Sequence, residues 1–242
     1  MRNIKLVVEY DGTDFLGWQE QAEGRTVQGE ITVVLNRILQ ESVNLIGAGR
    51  TDAGVHAKGQ VANFRTTSIM DTGAILNALN GLLPDDVVVH SAEDVPANFH
   101  ARFDARERVY RYYITLRKSA IGRSYRWHVK YHLDLDLMKG AAARIEGVND
   151  FETFSKNGSD IDNYSCDVRR SFWIGEGDEF VYEIRANRFV RGMVRALVGT
   201  MVDVGRGFLS LQDFHEIMKM KDRSKSGMAA PACGLILEEI LY

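Results

Sequence analysis

Phe172-Trp-Ile-Gly-Glu-Gly-Asp-Glu-Phe-Val-Tyr-Glu-Ile-Arg-Ala186 decides the fold class. Two apolar runs, 172–174 and 180–186, flank a glycine-bearing turn at 175–178. That arrangement predicts a β-hairpin, whose strands pair antiparallel. Upstream, Val109-Tyr-Arg-Tyr-Tyr-Ile-Thr-Leu116 alternates so that Tyr110, Tyr112, Ile114 and Leu116 share one strand face and Arg111 and Tyr113 the other. Residues 135–145 read as a helix between these strands. Downstream, Val190, Met193, Val194, Leu197, Val198 and Met201 form the inward stripe of a helix over 190–202, Ser210 caps a further helix, and 234–242 reads as a last strand.

The N-terminal part follows a similar order. Residues 4–10 form a strand ending at the turn signal Asp11-Gly12-Thr13. Thr26 caps a helix with the stripe Val27, Ile31, Val34, Leu35, Ile38 and Leu39. Strands at 44–46 and 60–66 flank a glycine-bearing segment. Ile75, Leu76, Leu79, Leu82 and Leu83 mark a helix stopped by Pro84, and a strand follows at 87–90. Strands and helices mixed in each part predict an α+β fold with mostly antiparallel sheet, divided into halves at 1–105 and 106–242. Residues 219–227 read as a plain solvent loop, with a mobile functional loop as the alternative.

Across its 242 residues the chain is 45% hydrophobic and 26% charged, with three prolines, which excludes collagen, coiled-coil and disordered classes. No stretch resembles a signal peptide or a span of about 18 apolar residues, so a cytoplasmic protein is expected. Cys166 and Cys233 lack the spacing of a zinc site or a disulfide framework, and the six histidines offer no metal motif.

The net charge of −3 argues against a polyanionic partner, but the distribution reverses that impression. Residues 102–130 carry nine basic groups against Asp104 and Glu107, whereas 131–184 carry twelve acids against five bases. A second basic run holds Arg185, Arg188, Arg191, Arg195 and Arg206. Tyr110, Tyr112, Tyr113, Tyr125, Trp127 and Phe189 interleave with the two runs. Arginine with aromatics is an RNA-binding composition; the same pattern also describes a solvated face over core aromatics.

The densest chemical candidate is Gly49-Arg50-Thr51-Asp52-Ala53-Gly54-Val55-His56. Glycines on both sides let the backbone turn sharply and let another chain approach closely. A carboxylate presented there can serve as nucleophile or general base, with Arg50 binding phosphate or favouring the ionised form. An Asx turn bonding its own backbone is the structural alternative. Nucleotide-binding templates fail, since Gly47-x-Gly49 lacks a third glycine and no GxxxxGK[ST] string occurs. Asp134-Leu135-Asp136 is similar to a phosphatase aspartate pair, but Met138 stands where that motif wants threonine or valine, so it reads as a helix-start acid pair. Arg191 and Arg195, in the first two turns of the 190–202 helix, oppose its macrodipole and call for an anion, RNA phosphate or a buried carboxylate. Tyr110 by pattern alone fits the core as well as a ligand face.

At these residues the chain resembles the tRNA pseudouridine synthase A family. The strings that carry the resemblance are Tyr10-Asp-Gly-Thr-Asp-Phe-Leu-Gly-Trp-Gln19, Thr26-Val-Gln28, Gly49-Arg-Thr-Asp-Ala-Gly-Val-His-Ala57 with Gln60-Val61, Phe99-His-Ala-Arg-Phe103, Arg108-Val-Tyr-Arg-Tyr112, Phe189-Val-Arg-Gly-Met-Val-Arg195 and Ala230-Pro-Ala-Cys-Gly-Leu235. They stand in the family's order and span nearly the whole chain, with none between Leu116 and Glu183.

The resemblance implies a pseudouridine synthase fold of two ferredoxin-like (RRM-like) halves with a central RNA-binding cleft. It implies a homodimer acting on the anticodon stem-loop of tRNA around positions 38 to 40, by flipping the target uridine out of its stack. It further implies that Asp52 is the nucleophile, that Tyr110 stacks on the target uracil and removes the C5 proton, that Arg195 pairs with the aspartate, and that Arg50 fills the space left by the flipped base. No metal or cofactor is expected, because uracil leaves C1′ and rejoins it through C5 without redox change. A non-catalytic RNA-binding module and an aspartate phosphohydrolase using Asp134 and Asp136 with Mg²⁺ are the competing readings.

Overall fold

The apolar stripes and alternations become the helices and strands that their spacing dictates. The computed structural model describes residues 1–156 and 163–242, which form two compact units: Met1–Arg106 with Ile236–Tyr242, and Glu107–Leu235.

In the first unit, β1 (Arg2–Tyr10), α1 (Val27–Leu39), β2 (Ile46–Gly47), β3 (His56–Thr66), α2 (Thr72–Leu82) and β4 (Val87–Val95) follow one another, and β10 (Leu235–Leu241) adds its residues from the C-terminus. The strand order is β4-β1-β3-β10, with β2 also on β3. Ile4, Leu6 and Val8, alternating along β1, are fully buried, as are Ile31 and Leu35 of α1 and Ile75 and Leu79 of α2. Each such side chain contributes roughly 1.5–3 kcal/mol. The Thr26 hydroxyl accepts the Gly29 N–H at 3.3 Å and fixes the start of α1.

In the second unit, β5 (Glu107–Thr115), β9 (Glu179–Ala186), β8 (Ser165–Glu176) and β7 (Gly147–Asp150) lie side by side in that order. β8 and β9 are the hairpin, closed between Glu176 and Glu179, with Gly177 at φ +57° supplying the left-handed residue. β6 (Trp127–His128) is a short strand on β5 that periodicity did not reveal. Within the two units, all pairings are antiparallel except β10 with β3 and β6 with β5. The protein is thus a mixed α+β structure with mostly antiparallel sheet.

α3 (Leu135–Ala143), α4 (Met193–Gly205) and α5 (Leu211–Lys219) complete the unit. α4 starts three residues later than its stripe predicts, because Gly192 sits at φ +75° and breaks the helical path. Arg191 therefore lies in the turn before the helix, and only Arg195 faces its dipole. Ser210 and Asp213 form a reciprocal capping box on α5. The 219–227 segment is tied down at both ends: Lys221 pairs with Asp150 at 2.7 Å, and Gly227 donates its N–H to Thr200 of α4 at 2.9 Å, which speaks against the mobile alternative. Among the described residues no helix is long and apolar enough to cross a membrane.

Candidate active site

The turn bearing Asp52 connects β2 to β3 and is held from beneath by the chain that follows β1. The Trp18 N–H donates to the Thr51 carbonyl at 3.2 Å, and the Gly54 N–H donates to the Phe15 carbonyl at 3.3 Å. Tyr10 and Thr51 share a buried hydroxyl–hydroxyl hydrogen bond of 2.8 Å. The Gly12 N–H donates to His56 Nδ1 at 3.0 Å, and Asp11 Oδ1 lies 3.1 Å from the same nitrogen. The turn closes on its own backbone, Val55 N–H to the Asp52 carbonyl at 3.2 Å, with Gly54 at φ +76°.

Glycine is required where the two segments touch. A Cβ on Gly12 would stand 2.0 Å from the Val55 carbonyl oxygen, and one on Gly17, at φ +102°, 2.5 Å from that of Thr51. A Cβ on Gly47 would enter the indole of Trp18 at 2.4 Å. Gly49 differs: its φ is not positive, and a Cβ there would meet nothing within 4 Å. The open side of the turn is thus beside Gly49 and the exposed Arg50, while Asp52 is half-buried.

Burial pushes the Tyr10 phenol up to about 12, with hydrogen bonds from Thr51 and Gln60 working the other way. Its hydroxyl is held against Thr51 by the 2.8 Å hydrogen bond, so the buried ring serves as a strut under that residue.

The remaining candidates belong to the second unit. Tyr110 lies half-buried on β5, its ring edge-on to Phe189 with centroids 5.1 Å apart and planes at 89°. Two residues along the same strand face, Tyr112 is fully buried and donates its hydroxyl to the Pro231 carbonyl at 2.7 Å. Arg195 stands in the first turn of α4 and donates Nε–H to the Ala230 carbonyl at 2.7 Å. Burial drives the Tyr112 phenol well above its usual value, the Cys233 thiol adds to that shift, and Arg195 opposes it. The strand string around Tyr110, the helix string ending at Arg195 and the string starting at Ala230 are therefore one packed cluster. A Cβ on Gly234 would lie 2.6 Å from the Tyr112 ring, which explains the glycine there.

Arg50 and Asp52 are brought together on one turn of the first unit, and Tyr110 and Arg195 belong to the second. Asp134 is a helix cap, its Oδ1 accepting the N–H groups of Asp136 and Leu137 at 3.0 Å each, which accounts for the acid pair. Among the described residues no group of three or more His, Cys, Asp or Glu side chains is placed to hold a metal ion. Burial raises both thiols, Cys166 to about 11, so they stay protonated. Nothing in residue type or spacing marks Thr51, Tyr10, Trp18 and Tyr112 as site supports. Thr51 and Tyr112 share strings with Asp52 and Tyr110, whereas Tyr10 and Trp18 belong to the separate string at 10–19, and only their contacts with Thr51 mark them as supports.

A sequence model of the family described as tRNA pseudouridine synthase matches residues 6–104 and 141–242. The chain is 49% identical to the tRNA pseudouridine synthase A of Chlorobium limicola over 243 residues, covering all of both chains. It is 45% identical to the protein of that name from Chlorobium luteolum, covering all of this chain and 96% of that one. With its counterpart in Thermoanaerobacter pseudethanolicus it shares 43% identity over the full length of both. Tyr110 falls in the stretch that the family model leaves unmatched, but inside these full-length similarities.

Proposed function

The chain belongs to the tRNA pseudouridine synthase family, and we propose that it isomerises uridine to pseudouridine in the anticodon stem-loop of tRNA, around positions 38 to 40, with Asp52 as nucleophile. The observation that carries the assignment of Asp52 is its turn. Thr51 and Gly54 on either side are pinned to Trp18 and Phe15 through backbone hydrogen bonds, and Gly12 and Gly17 leave no slack between the segments. A nucleophile gains from such a mount, because misplacement by about 1 Å can cost on the order of 10²-fold in rate.

The reaction is an isomerisation, so atoms balance without a co-reactant. The N1–C1′ bond breaks, the detached uracil turns, and C5 bonds to C1′; the C5 proton is lost and N1 gains one. Asp52 attacks C1′ as N1 leaves, and the bond it forms is broken when C5 bonds to C1′. Tyr110 stacks on the flipped uracil and takes the C5 proton, Arg195 supplies the cation that favours an ionised carboxylate, and Arg50 occupies the gap left in the RNA stack. Flipping costs roughly a few kcal/mol, which phosphate contacts of the basic runs and ring stacking offset.

We infer that each unit is ferredoxin-like. In the first, the chain order β1-α1-β2-β3-α2-β4 with spatial order β4-β1-β3-β2 supports this. In the second, the support is β5-α3-β8-β9-α4 in chain order with β9 between β5 and β8. The enzyme is proposed to work as a homodimer, which sedimentation equilibrium tests.

The deciding experiment incubates unmodified tRNA, tritiated at uridine C5, with the wild type and with Asp52→Asn in EDTA. Tritium release by the wild type and at least about 10³-fold less by the variant is expected. Equal release by both removes Asp52 from the chemistry; release by neither removes the function on this substrate.

A further inference from the structure

The string Phe99-His-Ala-Arg-Phe103 has no part in the chemistry above, yet the first unit spends buried polar groups on holding it. Ala101 is fully buried, and its N–H donates to Asn63 Oδ1 at 2.9 Å while its carbonyl accepts the Tyr242 hydroxyl at 2.7 Å. Asn63 donates onward to Asn3 Oδ1 at 2.9 Å, and Asn3 donates to the Pro96 and Phe99 carbonyls at 3.1 and 2.9 Å. Both asparagines are buried. The turn also locks itself: His100 N–H donates to Asp104 Oδ2 at 2.8 Å, Asp104 N–H to the His100 carbonyl at 3.1 Å, and Arg102 N–H to His100 Nδ1 at 3.1 Å.

What this turn displays is an aromatic ring. Phe103 is 73% exposed, with the His100 ring 4.3 Å away centroid to centroid and the Arg102 guanidinium 5.6 Å from its centre. A lone exposed ring is ordinary. A ring fixed on a pinned turn, beside an imidazole and a guanidinium, is a ready stacking platform, because it loses little conformational freedom on binding. Bases offer a π face to such a ring, and the adjacent cation suits phosphate.

We propose that Phe103, flanked by His100 and Arg102, stacks on an unpaired nucleotide of the RNA substrate away from the isomerised uridine. Arg102 and Arg106, at the start of the basic run, favour RNA over an apolar partner such as a second copy of the chain. The proposal rests on the function proposed above.

The test titrates unmodified tRNA transcript into wild type, Phe103→Ala and Phe103→Trp at one fixed salt concentration, with tritium release measured in parallel. Phe103→Ala is expected to raise Kd and KM about tenfold, the loss appearing in KM rather than kcat. Phe103→Trp is expected to restore affinity, and its emission to be quenched by RNA beyond the wild-type change. Matching melting curves exclude misfolding as the cause. Wild-type affinity in Phe103→Ala, with an active wild type, overturns this inference and leaves the function standing. Unchanged affinity with altered sedimentation overturns it in favour of a contact between copies. A wild type that neither binds nor converts tRNA overturns both.

Discussion

Arg195 and Ala230 are tied in both directions. The Arg195 Nε–H donates to the Ala230 carbonyl at 2.7 Å, and the Ala230 N–H donates back to the Arg195 carbonyl at 2.9 Å. A cation near the start of α4 opposes the helix dipole, and the carbonyl of Ala230 meets part of that cost while fixing the plane of the guanidinium.

A lysine keeps the charge at this position but not the planar fork. Arg195→Lys is therefore expected to lower kcat by on the order of 10²-fold while tRNA affinity changes by less than about threefold. Tritium release and filter binding, measured on the same preparation, separate the two. An affinity loss as large as the rate loss would assign Arg195 to phosphate binding instead.

Gly17→Ala tests the mount of Asp52 without touching a polar side chain. The new Cβ would sit 2.5 Å from the Thr51 carbonyl oxygen and 3.1 Å from the Asp52 carbonyl carbon, on a backbone at φ +102°. The turn must move, at a cost of about 1–3 kcal/mol in stability. Thermal unfolding should show a lower midpoint, and kcat should fall more than tRNA affinity. Wild-type kcat in a folded variant would show that the turn tolerates displacement.

Tyr110 packs edge-on against Phe189, so its ring can persist without its hydroxyl. Tyr110→Phe should bind tRNA as the wild type does and release tritium about 10²–10⁴-fold more slowly, the usual range for loss of a general base. Equal rates for variant and wild type would leave the ring with stacking alone.

Glu183 holds β5 to β9. Its carboxylate accepts from Arg111 Nε at 2.8 Å and from Arg185 Nε at 2.8 Å, and Arg111 is its register partner across the strands. Burial pushes the carboxyl up, but the two guanidinium groups outweigh it and hold it below the ordinary glutamate value. A carboxyl lowered in the folded state contributes stability above its unfolded pKa of about 4.5, and that contribution is lost as pH falls through the lower folded value. Glu183→Gln should cost about 1–3 kcal/mol near neutral pH, limited by the partial exposure of both arginines. Denaturant melts should show the gap between variant and wild type closing in acid; a gap that stays constant would remove the ionic contribution.

Local order was written plainly in this chain. The stripe from Val27 to Leu39, the cap at Thr26, the hairpin around Gly177 and the alternation along β5 depend on neighbours within a few residues, where steric and hydrogen-bonding preferences act directly. The start of α4 falls later than periodicity implies, because Val190 fits the apolar stripe, whereas the left-handed Gly192 that precedes the helix shows only in the backbone. The 219–227 segment looked loose by composition, but Asp150 and Thr200, which anchor it, lie far away in sequence.

The candidate site divides the same way. Sequence alone supplied the residue types, Asp52 on a glycine-flanked turn and Arg195 with Tyr110 in their strings, because chemistry is local to a side chain. Only the tertiary structure showed why Gly12 and Gly17 are glycines, why Tyr112 is anchored to Pro231, and why Asn3 and Asn63 are spent on Ala101. Those facts are distances between segments 34 or more residues apart, and long-range contact is set by packing of the whole unit, not by any local pattern.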